Sequence, residues 1–103
     1  MAKKNVELAS GRKVQLKEMS VDEIDFCSDI AEVIYNQEGE VTTVRGTSKS
    51  RTAWIRRGLD GGDFKDFSLD NKGFASDSVI RELTEVEKNE LMMLIQGYQS
   101  LGE

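Results

Sequence analysis

Apolar and polar residues alternate at Val6 and Leu8 and again at Val14 and Leu16, the pattern of a half-buried strand. Ala9-Ser10-Gly11 breaks the run between them. A loop of these three residues lets Gly11 take the left-handed bulge position and sets Val6 opposite Val14 on one face. A tighter turn at Ser10-Gly11 would send the two apolar sets to opposite faces. The spacing therefore predicts a β-hairpin over residues 5–17. Met19 follows, and then Ser20-Val21-Asp22-Glu23, a capping box that opens a helix.

The first helix is expected over about residues 21–36, ended by Asn36-Gln37-Glu38-Gly39. Ile24, Cys27, Ala31 and Ile34 make one stripe, and Phe26, Ile30 and Val33 widen it beyond what one partner face needs. Val41 to Val44 is β-branched and reads as a short strand. A second helix over 48–59 carries Ala53, Trp54, Ile55 and Leu59, and stops at Gly61-Gly62. Asp60 to Gly73 is a loop by composition, touching the body through Phe64, Phe67 and Leu69. A short helix at 77–83 precedes a second capping box, Thr84 to Glu87. The final helix, 85–101, places Leu91, Leu94, Ile95, Tyr98 and Leu101 on one face. The predicted fold is α+β and predominantly helical: one domain, with the hairpin packed on a small bundle of three or four helices.

Composition narrows the chemistry. The chain has no His and a single Cys, so Ser-His and Cys-His pairs, His-based metal sites and intrachain disulfides are excluded. Cys27 falls on the apolar side of the first helix and reads as a small buried hydrophobe. No enzyme, no cofactor and no metal are expected. Asp60-Gly61-Gly62-Asp63-Phe64 has the look of a cyclase signature, but a Gly-Gly turn accounts for it. Asp66, Ser68, Asp70 and Asp77 fall at calcium-loop positions, yet Asn71 stands where the sharp turn wants Gly and Asp77 where Glu is usual. Met1-Ala2-Lys3-Lys4 leads straight into the hairpin and no apolar run is membrane-length, so neither a signal peptide nor a membrane partner is expected and the location is cytoplasmic.

Charge is segregated. The stretch Glu18 to Glu40 holds acids and no Lys or Arg, whereas Arg45 to Arg57 holds five cations and no acid. The basic run around Trp54 could meet phosphates and bases. A formal net charge of −5 argues for the alternatives, in which the cations pair with the acidic first helix or form a solvated face. Nucleic acid is accordingly not the expected partner. The apolar helical faces point instead to protein contacts and to weak, concentration-dependent self-association.

Taken in order, VELASGRKVQL, the Lys17-Glu18-Met19-Ser20 step into an acidic helix, the Trp54-Ile55 helix and LTEVEKNELMMLI resemble the tail assembly chaperones of long-tailed bacteriophages. The resemblance implies a non-enzymatic protein of the infected host's cytoplasm. Its partners would be the tape measure protein and the tail tube protein, and it would be absent from the mature virion. The family offers no residue signature to carry across. From the helix faces alone, the expected partner-binding positions are Phe26, Ile30 and Val33 on the first helix and Leu94, Tyr98 and Leu101 on the last. The alternatives are a small structural virion component, such as a tail or head–tail joining subunit, and a nucleic-acid binder acting through Arg45–Arg57.

Overall fold

The computed structural model describes residues 3–30, 32–35 and 37–101, with the backbone alone described at 32–35, 42–45 and 101. The chain is α+β: five strands and four helices among the described residues. Strands β1 (Lys3–Glu7) and β2 (Lys13–Lys17) form the expected antiparallel hairpin, with Val6 opposite Val14. The loop closes through Leu8 N–H to Arg12 O at 2.8 Å and Gly11 N–H to Leu8 O at 2.8 Å. Gly11 has φ 93°, a left-handed value that a side chain would strain. Alternation follows: Val14 and Leu16 are buried, while Gln15 between them is half-buried and Lys13 is exposed.

Helix α1 (Val21–Ile30) is opened by the predicted capping box. Ser20 N–H donates to Glu23 Oε1 at 2.9 Å, and Glu23 N–H donates to Ser20 Oγ at 3.2 Å. The helix is shorter than expected. Residues 32–35, predicted as its last turn, form strand β3 (Glu32–Tyr35), paired antiparallel with β4 (Val41–Arg45) in a separate two-stranded ribbon. Val-Ile-Tyr is a run that suits either conformation, and a β-branched partner strand across the Gly39 turn decides it. Val33 therefore lies on a strand rather than on the first helix.

Helix α2 (Thr47–Gly58) passes without a break into β5 (Leu59–Gly62). This is a second correction, since residues from Asp60 onward were expected to be loop. Strand β5 pairs antiparallel with β2, giving a three-stranded sheet in the order β1-β2-β5. Gly61-Gly62 is thus strand backbone at a close approach. A Cβ on Gly62 would lie 2.5 Å from Lys13 O and 2.7 Å from Val14 Cα. At the end of α2, a Cβ on Gly58 would overlap Cγ2 of Ile95, so this glycine is what lets α2 lie close to the last helix.

Helices α3 (Asp77–Glu82) and α4 (Glu85–Leu101) fall where the spacing put them. The second capping box is formed: Thr84 N–H donates to Glu87 Oε1 at 2.9 Å, and Glu87 N–H donates to Thr84 Oγ1 at 3.1 Å. Helix α2 packs on both α1 and α4, and the core runs between these helices and the sheet. Leu8, Leu16, Cys27, Ile55, Leu59, Val79, Leu91 and Ile95 are fully buried there, with Trp54 nearly so. Phe64 and Phe67 pack against this core with their rings 5.6 Å apart, while Leu69 stays exposed.

Candidate functional site: an apolar groove with a cationic wall

The densest meeting of polar groups lies where the β1–β2 loop reaches the α3–α4 junction. Ser10 Oγ and Arg12 Nε both donate to Glu87 Oε2, at 2.8 and 2.9 Å. Arg12 Nη1 donates to Glu82 Oε2 at 2.9 Å and to Asp63 O at 2.6 Å, and the guanidinium lies 5.0 Å from the Phe64 ring centre. Burial works to raise the Glu87 carboxyl, but the Thr84 amide, Arg12 and Ser10 outweigh it and hold it down to about 2. A strongly shifted carboxylate is a natural candidate for catalysis. Here both oxygens are already engaged, and a carboxylate ionised down to about 2 is a poor acid and a weak base near neutrality. The cluster is a lock that fastens the hairpin to the helices.

The acidic loop is spent in a similar way. Asp70 accepts the Lys72 and Phe74 amides at 2.8 and 3.0 Å, Ser68 and Ser76 share a hydrogen bond of 2.7 Å, and Asp77 pairs with Arg56. Among the described residues no group of three or more His, Cys, Asp or Glu side chains is placed to hold a metal. No helix among them is long and apolar enough to cross a membrane.

A further feature is an open groove of about 480 Å³ between α1 and α2. Phe26 and Ile30 line it from α1; Ser48, Lys49, Thr52, Ala53, Arg56 and Arg57 line it from α2. The contrast with Cys27 is instructive: Cys27 is wholly buried, and Phe26 beside it is 53% exposed. On a helix, neighbours point about 100° apart, so the broad apolar arc of α1 sends one side chain into the core and the other into the groove. The Arg57 guanidinium lies over two rings, 4.4 Å from the centre of Phe26 and 4.4 Å from that of Phe74. Its one hydrogen bond among the described residues runs from Nη1 to Ala53 O at 3.4 Å.

Of the six expected contact positions, Phe26 and Ile30 share this groove. Leu94 and Tyr98 are half-buried on α4, packed against the core, and line none of the described grooves. The side chains of Val33 and Leu101 lie outside the described residues. The basic run finds partners, but on α3 and α4 rather than on α1. Arg51 pairs with Glu85 at 2.7 Å and bonds Asn89 at 3.0 Å; Arg56 pairs with Asp77 and donates to Ala75 O at 2.7 Å. Lys49, Thr52 and Arg57 were not expected at the site. The signal for the first two was present: Lys49, Thr52, Ala53 and Arg56 follow the spacing of a single helical face. No protein-family model, no curated protein and no solved structure matches the chain.

Proposed function

We propose that the chain is a non-enzymatic binding protein of the phage tail assembly chaperone kind, which holds the tape measure or tail tube protein in the host cytoplasm until the tail is built. The observation that carries this reading is the half-exposed Phe26, set with Ile30 in an open groove between α1 and α2. An amphipathic helix of a coiled-coil client supplies the apolar surface that such a groove takes. The order of motifs along the chain supports the same reading, and so does the engagement of the one strongly shifted carboxylate in a structural lock. The nucleic-acid alternative is weakened because Arg51 and Arg56 are paired with carboxylates.

Co-purification from infected or induced cells, with mass spectrometry of both the bound fraction and finished particles, tests the proposal. Recovery of a tape measure or tube protein, with the chain absent from particles, is the expected result. Stoichiometric presence in mature particles would replace the chaperone reading with that of a structural virion subunit.

A further inference from the structure

Arg57 carries the inference. A guanidinium has five N–H donors around its edge and two flat faces. The Arg57 guanidinium carbon lies over two rings, 4.4 Å from the centre of Phe26 and 4.4 Å from that of Phe74, and one long bond to Ala53 O is its only hydrogen bond among the described residues. None of its polar atoms is buried without a partner, so the remaining donors meet solvent. The two ring contacts hold the group in advance, and the donors are left for whatever fills the groove. A planar fork held in place in this way suits a carboxylate better than a flexible ammonium does. Lys49 lines the same groove, is exposed, and has no ion pair among the described residues.

We infer that the α1–α2 groove docks an amphipathic helix of another protein that bears a carboxylate beside an apolar anchor, with the carboxylate on Arg57, Lys49 adding positive charge to the same wall, and the anchor on Phe26, Ile30 and Ala53. The inference rests on the binding-protein reading above and names the chemistry of the partner. Charge decides both the occupant and its orientation. The α2 wall is cationic, while Asp22 and Asp29, one turn either side of Phe26 on α1, are exposed acids. The docked helix therefore carries its carboxylate towards α2 and any basic residues towards α1. A second copy of this chain brings the same net charge of −5 to the encounter, so a separate partner is the favoured occupant.

The test uses the full chain and two helix-locked synthetic peptides with blocked ends. One carries two leucines a turn apart with a glutamate beside them, and the other has glutamine in place of the glutamate. Amide shifts on titration should concentrate at Phe26, Ile30, Lys49, Thr52 and Arg57. The glutamate peptide should bind on the order of tenfold more tightly than the glutamine one. Arg57→Gln should erase most of that preference. Lys49→Gln, at an exposed position, should reduce it and serves as the check if Arg57→Gln perturbs the fold. Equal affinity for the two peptides, shifts centred elsewhere, or no binding at millimolar peptide overturns the inference. So does a dimer, seen by sedimentation, that Lys49→Glu dissociates, because the groove would then belong to a second copy. The two levels separate cleanly. If Arg57→Gln still co-purifies the tail client in full, the groove assignment fails and the chaperone reading stands. If the peptide preference holds and no tail client is recovered, the reverse applies.

Discussion

Two arginines, Arg12 and Arg57, sit against phenyl rings at opposite ends of this molecule's polar chemistry. Arg12 lies over Phe64 and gives its donors to Glu87, Glu82 and Asp63 O. Arg57 lies over Phe26 and Phe74 and gives one long bond to Ala53 O. The first makes four hydrogen bonds and the second one. A heavily bonded cation in a partly buried network fastens elements together, and removing it leaves carboxylates without their cation. One with a single bond, held by rings, contributes less to folding and has donors left for recognition. The same residue type beside the same ring type thus serves stability in one place and binding in the other.

The largest expected effect is at the first arginine. Arg12→Ala leaves Glu87, which is 4% exposed, without its cation and removes the arginine's bonds from the hairpin to Glu87 and Glu82. A loss of roughly 3 kcal/mol is expected in urea unfolding. A loss under about 1 kcal/mol would show that the lock is not what joins hairpin and helices.

Acid sharpens the contrast. The Glu87 carboxyl is held below its ordinary 4.5, at about 2, so its contribution is complete above pH 4.5 and disappears as pH falls towards 2. That contribution is at most roughly 3 kcal/mol. Glu87→Gln should lower stability at neutral pH and flatten the stability profile between pH 5 and 2 relative to the parent chain. Asp70, Asp77, Glu82 and Glu85 are lowered in the same direction, by the Phe74 amide, Arg56, Arg12 and Arg51 respectively, and both proteins keep that shared acid sensitivity. Parallel profiles for the two would remove Glu87 from the account.

At the groove the effects on folding should be smaller and those on binding larger. Arg57→Ala removes two ring contacts, expected to cost about 1–2 kcal/mol in thermal or urea unfolding. Phe26→Ser should cost less than the roughly 2–5 kcal/mol of emptying a core position such as Ile55, while abolishing client capture in a pull-down. Lys49→Gln is the smallest: stability within about 0.5 kcal/mol of the parent, with a measurable loss of client. A groove variant that unfolds the chain as Arg12→Ala does would make the groove part of the core and end the comparison.

Local chemistry accounts for what could be read from the chain. The bulge at Gly11, the Val6–Val14 register and both capping boxes involve residues a few positions apart, and their geometry follows from turn and cap rules alone. The seventeen-residue α4 declared itself through its spacing. Residues 32–35 did not, because the three apolar residues Val33-Ile34-Tyr35 have no period of their own and took their conformation from β4. Residues 59–62 were misread for a related reason: Asp-Gly-Gly is turn chemistry by composition, and only β2 alongside makes it a strand.

The site divides in the same way. Phe26 and Ile30 could be picked out because a broad apolar arc on one helix is visible in one dimension. Arg57 could not, because its role depends on two rings separated from it and from each other in sequence, Phe26 on α1 and Phe74 before α3. The sequence by itself determined the class of fold, the caps, the hairpin register and the absence of His or paired-Cys chemistry, all of which rest on neighbours in the chain or on composition. Tertiary structure alone decided which arginine is heavily bonded and which is open, since that is set by what the packing of distant segments brings within hydrogen-bonding reach.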